Sequence, residues 1–169
     1  DRVHERDAES RHLVLLCKNE TGYRNLSYMV SMGFLEGFYI KPRIDMELLR
    51  THSEGLIALS ACLAGEIPRL LRNGDYEGAK AHALEMQELF GEDSYYLELQ
   101  DHGLPEQKQI VAGILRLHEE TGIPLVCTND AHYLRKEDAE AHDVLLCIQT
   151  GKTLDDENRM RYEPRNFYL

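Results

Sequence analysis

Residues 123–132 read IPLVCTNDAH, a short apolar run of strand formers that ends in the polar bend Asn129, Asp130, Ala131, His132. A helical stretch follows near 136–149, where Ala141, Val144, Leu145 and Ile148 recur at three- and four-residue steps and are expected to form its buried stripe. Strand, polar bend and helix make one βα unit. Working back along the chain, YYLEL at 95–99 reads as a strand, followed by a predicted helix over 106–121 that places Ile110, Ile114 and Leu117 on one face and stops at Gly122. Before it, GLIALS at 55–60 is a strand, 61–65 a bend of small residues, and 66–71 a helix ended by Asn73 and Gly74. Asp75 is a good N-cap for a further helix in which Ala79, Ala83, Met86 and Phe90 recur before Gly91. The opening figure is HLVLLCK at 12–18, a turn at 19–22 and a helix over 23–32. This alternation predicts the α/β class with a mostly parallel sheet, open or closed into a barrel, whose chemistry gathers at the carboxyl ends of the strands.

The 169 residues suit about one domain, long enough to hold a core without disulfides or metals. With 43% hydrophobic and 29% charged residues the chain is globular in composition, which excludes low-complexity and collagen-like classes. Its longest apolar runs, 13–17 and 144–148, are far shorter than the roughly 20 residues of a membrane helix. The chain opens on Asp1 and ends on Phe167, Tyr168 and Leu169, and is read as a piece of something longer. A net charge of −11 would repel a polyanion unless cations intervene, which argues against an autonomous DNA-binding module. Cysteines 17, 62, 127 and 147 form no CxxC pair; Cys17, Cys127 and Cys147 lie in apolar stretches where thiols pack as small hydrophobes, a usage that fits the cytoplasm. No Walker loop, GxGxxG after a strand, GxSxG elbow or HExxH is present, so nucleotide-cradling, serine-hydrolase and zincin classes fall away. Residues 151–169 lose the periodicity and read as a charged surface excursion.

Asp130 and His132 carry the strongest chemical signal. At a strand's carboxyl end they present a carboxylate and an imidazole to one mouth, a pair suited to Zn²⁺, Mn²⁺ or Fe; the same residues also serve as an Asp capping the turn and a His satisfied by a carbonyl. Cys62, after another apolar strand, is the one cysteine placed to join them, or else a packed core thiol. His12 begins its strand, so it reaches the same mouth only if that strand runs antiparallel to its neighbours. Glu98, Gln100, Asp101 and His102 line the pocket or form a solvated loop, and His52, His82, His118 and His142 lie on predicted helices facing water or packing sideways.

The strings HLVLLCKNETGYRNL (12–26), EGFYIKPRIDMELL (36–49), EGLIALSACLAGEIPRLL (54–71), YYLELQDHGLPEQ (95–107) and the whole of 123–169 resemble the PHP domain of the bacterial replicative DNA polymerase III alpha subunit. The resemblance implies an α/β fold that is an incomplete, distorted βα (TIM-like) barrel of the PHP type. Residues 1–150 would be the C-terminal portion of that domain and 151–169 a charged connection with its final strand. It places His12, Cys62, Asp130 and His132 on four metal-ligand positions, while the family's earlier ligands, an H-x-H, an acidic residue, a His and a Glu, have no match in this chain. It further implies divalent metal ions (Zn, Mn or Fe at the PHP site, Mg for the parent polymerase), with the polymerase's own catalytic aspartates outside this sequence. The implied activity is a metal-dependent 3′–5′ exonuclease or phosphoesterase in the intact protein. The alternatives are a scaffold docking a separate proofreading exonuclease and a histidinol-phosphatase-like phosphoesterase. Implied partners are DNA through the parent polymerase, other replicase subunits and, for this chain alone, a second copy covering an exposed sheet edge; no membrane is expected.

Overall fold

The computed structural model describes residues 2–4, 9–162 and 166–169. Among these residues four strands make one sheet in the order β1 (Val14–Cys17), β2 (Leu56–Leu59), β3 (Tyr95–Leu99), β4 (Leu125–Cys127). β1 runs antiparallel to β2, pairing Val14 with Leu59 and Cys17 with Leu56, whereas β2–β3 and β3–β4 are parallel. The first residues of β1 therefore lie at the same end of the sheet as the last residues of β2, β3 and β4, which is where His12 must be to join them.

Among the described residues six α-helices accompany the strands: α1 (Glu20–Leu35), α2 (Met46–Thr51), α3 (Glu66–Arg72), α4 (Tyr76–Phe90), α5 (Pro105–Thr121) and α6 (Ala139–Thr150). α1 starts earlier than the turn reading of 19–22 allows, because the Asn19 side chain accepts from Gly22 N–H at 3.0 Å and makes that turn the first turn of the helix. Gly22 is required there: a Cβ would lie 1.9 Å from the Gly55 carbonyl oxygen. α2 is too short to announce itself by periodicity, and is set by the Asp45 carboxylate capping Leu48 N–H.

The core lies between the centre of the sheet and α3, α4 and α5. Leu56 and Ala58 of β2 and Tyr95 and Leu97 of β3 meet Ile67 and Leu71, Ala79, Ala83 and Met86, and Ile110, Ile114 and Leu117. Fully burying a residue of Leu or Ile size stabilises by about 1.5–3 kcal/mol, so this apolar layer anchors the strand ends whose chemistry follows.

Three expectations need correction. In α6 the expected stripe of Ala141, Val144, Leu145 and Ile148 faces outward, and Ala139, Leu146 and Cys147 are buried instead. Cys17 and Cys127 are exposed, because both close strands at the edges of the sheet; only Cys147 packs as expected. The segment from 151 is not wholly solvated: Arg159 makes a two-pronged ion pair with Asp143 on α6, and Phe167 is 6% exposed. Tyr168 adds a single parallel bridge to Tyr133. Among the described residues no helix is long and apolar enough to cross a membrane.

Candidate metal centre

Two loops and the start of β1 build the site. After β2, Ser60 makes the last ladder bond, its N–H donating to Tyr96 O at 3.0 Å, and the chain then turns out of the sheet at Ala61, whose φ of 65° is left-handed. Cys62 follows. His12 is fixed beside it by backbone pairing, its N–H donating to Ala64 O at 3.1 Å, and Cys62 Sγ lies 3.6 Å from His12 Nδ1. A thiolate and an imidazole sharing one tetrahedral Zn²⁺, at about 2.3 Å and about 2.0–2.1 Å from it, would stand about 3.6 Å apart. The same spacing serves a thiol–imidazole hydrogen bond.

After β4, Asp130 takes a left-handed φ of 42° and its Oδ2 lies 3.7 Å from His132 Nε2. The His132 ring packs against Tyr162, at 4.5 Å between centroids, and against His142 and Phe167. Its backbone N–H donates to Phe167 O at 2.7 Å. Asn129 extends the anchoring, its side-chain amide donating to the carbonyls of Asn166 and Tyr168. The segment after 151 thus straps the Asp130 loop in place.

Charges on the two loops act on one another. Burial pushes the Cys62 thiol above its ordinary value, a hydrogen bond from Ala64 N–H pulls the other way, and the negative charges of Asp130 and Glu98 push it further up. Burial likewise raises the Tyr162 phenol, with Asp130 and Cys62 adding to it. Burial lowers His142, and His132 beside it does the same. A divalent cation at this mouth would reverse the first of these effects, holding Cys62 as thiolate and offsetting the carboxylate charge.

The four residues selected from sequence therefore arrive at one end of the sheet as two pairs, His12 with Cys62 and Asp130 with His132. Their nitrogen, sulfur and carboxylate donors fit Zn²⁺, Mn²⁺ or Fe²⁺. Among the described residues no three His, Cys, Asp or Glu side chains come close enough together to hold one ion. His12 also lines an open cleft of about 700 Å³ beside β1, with Leu15, Ile67, Met86 and Tyr95.

Glu98 and His102 are not in a solvated loop: they are 4% and 1% exposed. His102 Nε2 pairs with Asn129 O at 2.8 Å, its Nδ1 with the Gln107 amide at 2.8 Å, and its ring stacks on Phe167. In that arrangement Nε2 donates to the carbonyl and Nδ1 accepts from the amide. Gln100 donates to Thr128 Oγ1 at 2.9 Å, whereas Asp101 stays exposed. Of the four helix-borne histidines, His52 closes α2 and stacks on Tyr28, His82 lines the cleft, His118 bonds Ile123 O at 2.7 Å, and His142 joins the rings around His132. Nothing in the sequence assigned Tyr162 and Phe167 to this site; the available signal was aromatic residues inside a charged segment that has no helical or strand period.

The family model described as PHP domain matches residues 2–102. The chain belongs to the PHP-domain family. His12 and Cys62 fall inside the matched span. This PHP chain is 51% identical over 158 residues to DNA polymerase III subunit alpha of Treponema pallidum (strain Nichols), an overlap of 94% of the chain and 14% of that protein. It is 48% identical over 171 residues to DNA polymerase III subunit alpha of Deinococcus radiodurans, covering 100% of the chain and 13% of the relative, so the aligned span also takes in Asp130 and His132. The protein of that name from Thermus aquaticus is 49% identical over 158 residues, 94% of the PHP chain and 13% of the relative. The PHP chain thus spans 13–14% of the length of these curated relatives.

Proposed function

We propose that these residues are the C-terminal portion of the PHP domain of a replicative DNA polymerase III alpha subunit, and that in the full-length protein they contribute half of a metal-dependent phosphoesterase site that trims the 3′ ends of DNA. The observation that carries the reading is that His12 with Cys62 and Asp130 with His132 form two ligand-competent pairs at one end of the sheet. The identity with polymerase subunits along nearly the whole chain supports the parent protein's class, a DNA-directed nucleotidyltransferase working in the cytoplasm with other replicase subunits. Residues 1–150 supply the strands and helices of an incomplete βα barrel, and 151–169 the strap that closes against its last loop.

Divalent ions bound at such a mouth supply an activated water and stabilise the leaving oxygen of a phosphodiester. In this chain His12 and Cys62 offer the imidazole and thiolate, and Asp130 offers the carboxylate. His132 is oriented by Phe167 O and Tyr162. Cations held there would also offset the repulsion between a domain of net charge −11 and its polyanionic substrate.

One observation favours a second reading. Because no three ligands converge among the described residues, the site is also compatible with a scaffold that docks a separate proofreading exonuclease. Hydrolysis of a mispaired 3′ end by the full-length protein, measured without deoxynucleotides in Mn²⁺ or Zn²⁺, separates the two. Asp130→Asn is expected to slow it by about 100-fold with polymerase activity kept; equal rates in both proteins would leave the scaffold. Cleavage of histidinol phosphate would move the site to the small-molecule branch. For this chain alone, exposed Val14 and Leu16 on β1 leave an edge for a second copy, read by light scattering at micromolar concentration.

A further inference from the structure

Glu98 sits on β3, between the two strands whose ends carry Cys62 and Asp130, and it is 4% exposed. A carboxyl group at such a position is costly unless its oxygens find donors. They do, one on each side. Oε2 accepts from Ala61 N–H at 2.5 Å and Oε1 from the Thr128 hydroxyl at 2.7 Å. Thr128 Oγ1 in turn accepts from the Gln100 amide at 2.9 Å, and Glu98 N–H donates to Ser60 Oγ at 2.8 Å. The result is a chain of hydrogen bonds, converging on the Glu98 carboxylate from both sides, that crosses the sheet from the end of β2 to the end of β4.

Its two terminal contacts fall at telling places. Ala61 is the residue at which the β2 end leaves the ladder, and it does so in the left-handed region, where a residue with a Cβ is strained. Its N–H has lost its sheet acceptor and takes the Glu98 oxygen instead. Cys62 is the next residue. Thr128 stands two residues before Asp130, the other left-handed non-glycine residue at this mouth. Each loop therefore carries a strained residue at or beside a proposed ligand, and one carboxyl group holds both.

We infer that Glu98 is a positioning residue, a strut that sets the Cys62 loop against the Asp130 loop so that the two ligand pairs face one another. This rests on the metal-site reading of the preceding section and deepens it: Glu98 touches no proposed ligand side chain and acts through Ala61 and Thr128. Removing the strut releases the strain at Ala61 and lets the loops part, which weakens binding that needs both.

Co²⁺ titration of the full-length protein tests this, reading the thiolate-to-cobalt absorption that reports Cys62, with a Cys62→Ser protein as the blank and thermal melting run in parallel. Glu98→Ala is expected to weaken Co²⁺ binding about 10–100-fold and to lower the thiolate absorption per bound ion. Glu98→Gln keeps an oxygen for Ala61 N–H and is expected to restore binding to within about fivefold of the parent. Thr128→Val cuts only the β4 side, so it should weaken binding while the thiolate absorption stays. If Glu98→Ala matches the parent in affinity and absorption, the strut is wrong and the metal site stands. If the parent itself shows no thiolate absorption above the blank, the metal-site reading falls and takes the strut with it. Should Glu98→Ala not fold, Thr128→Val decides, unchanged affinity overturning the proposal.

Discussion

Helix α5 follows β3 and helix α6 follows β4, each after a polar strand end, and each closes on a glycine in the left-handed region, Gly122 at φ 74° and Gly151 at φ 65°. Both carry an apolar stripe at helical spacing. In α5 the stripe is inside, with Ile114 and Leu117 at 2% and 0% exposure; in α6 it is outside, with Leu145 and Ile148 at 61% and 72%. The neighbours account for the difference. α5 lies against β3, α3 and α4, and a charged clamp holds it there: Glu120 accepts from Lys80 on α4 at 2.7 Å and from its own Arg116 at 2.7 Å. α6 instead turns Leu146 and Cys147 inward and is tied by Asp143 to Arg159 of the strap. An apolar stripe therefore says which face needs a cover, and only the rest of the fold says whether one is present.

The sharpest way to break this comparison is a matched pair of truncations. Leu117→Ala opens a cavity in the layer between α5 and the sheet and is expected to cost about 2–5 kcal/mol in urea unfolding, whereas Leu146→Ala, on the thinly packed helix, should cost less than half as much. Equal losses would mean that α6 is as firmly seated as α5. A second pair isolates the stop signals from the packing. At Gly122 and at Gly151 an added Cβ meets nothing within 4 Å, so alanine costs only the left-handed backbone, about 1 kcal/mol at each. A markedly larger loss at Gly122 would show that burial, not the local cap, ends α5.

The smallest effect concerns the clamp, and it depends on pH. The hydrogen bonds from Lys80 and Arg116 hold the Glu120 carboxyl down to about 2. A depressed carboxylate contributes stability that is fully present above its unfolded value of about 4.3 and is lost as pH falls through the folded value. Glu120→Gln should therefore lower the urea midpoint slightly at pH 7, and the gap between the two proteins should close between about pH 4.3 and pH 2. Added salt should narrow it as well, since these groups are largely in water. A gap unchanged at pH 2 would remove the ion pairs from the explanation of how α5 is held to α4.

The order of strands and helices was legible because strand formers, polar bends and periodic stripes alternate without interruption from Leu56 to Ile148. The direction of β1 was legible only as a condition: His12 begins its strand, so it joins the carboxyl ends of the others only in an antiparallel run, and the strand does run antiparallel. Burial at the strand ends was not legible. Glu98 and His102 look like solvated loop residues because the groups that make their burial tolerable, Ala61 N–H, the Thr128 hydroxyl, the Gln107 amide and Asn129 O, lie on other segments. Cys17 and Cys127 looked like core thiols because an apolar run does not reveal whether its strand is central or at the edge. For the candidate site, the four ligand-competent side chains stood out by residue type, whereas the strap's Tyr162 and Phe167 carried no pattern that pointed to His132.

The distances along the chain between these partners bear on how the molecule comes into being. Cys62 meets His12 across 50 residues, Glu98 reaches back 37 to Ala61, and Thr128 reaches back 30 to Glu98. Contacts so far apart in sequence are slow to form, since the intervening chain must be closed into loops before they return any stability. During synthesis His12 and Cys62 emerge before the Asp130 loop and the strap that steadies it. A nascent chain would thus expose the Cys62 thiol and the His12 imidazole well before the Asp130 carboxylate, and any metal that needs the Asp130 loop is taken up only after that loop has emerged.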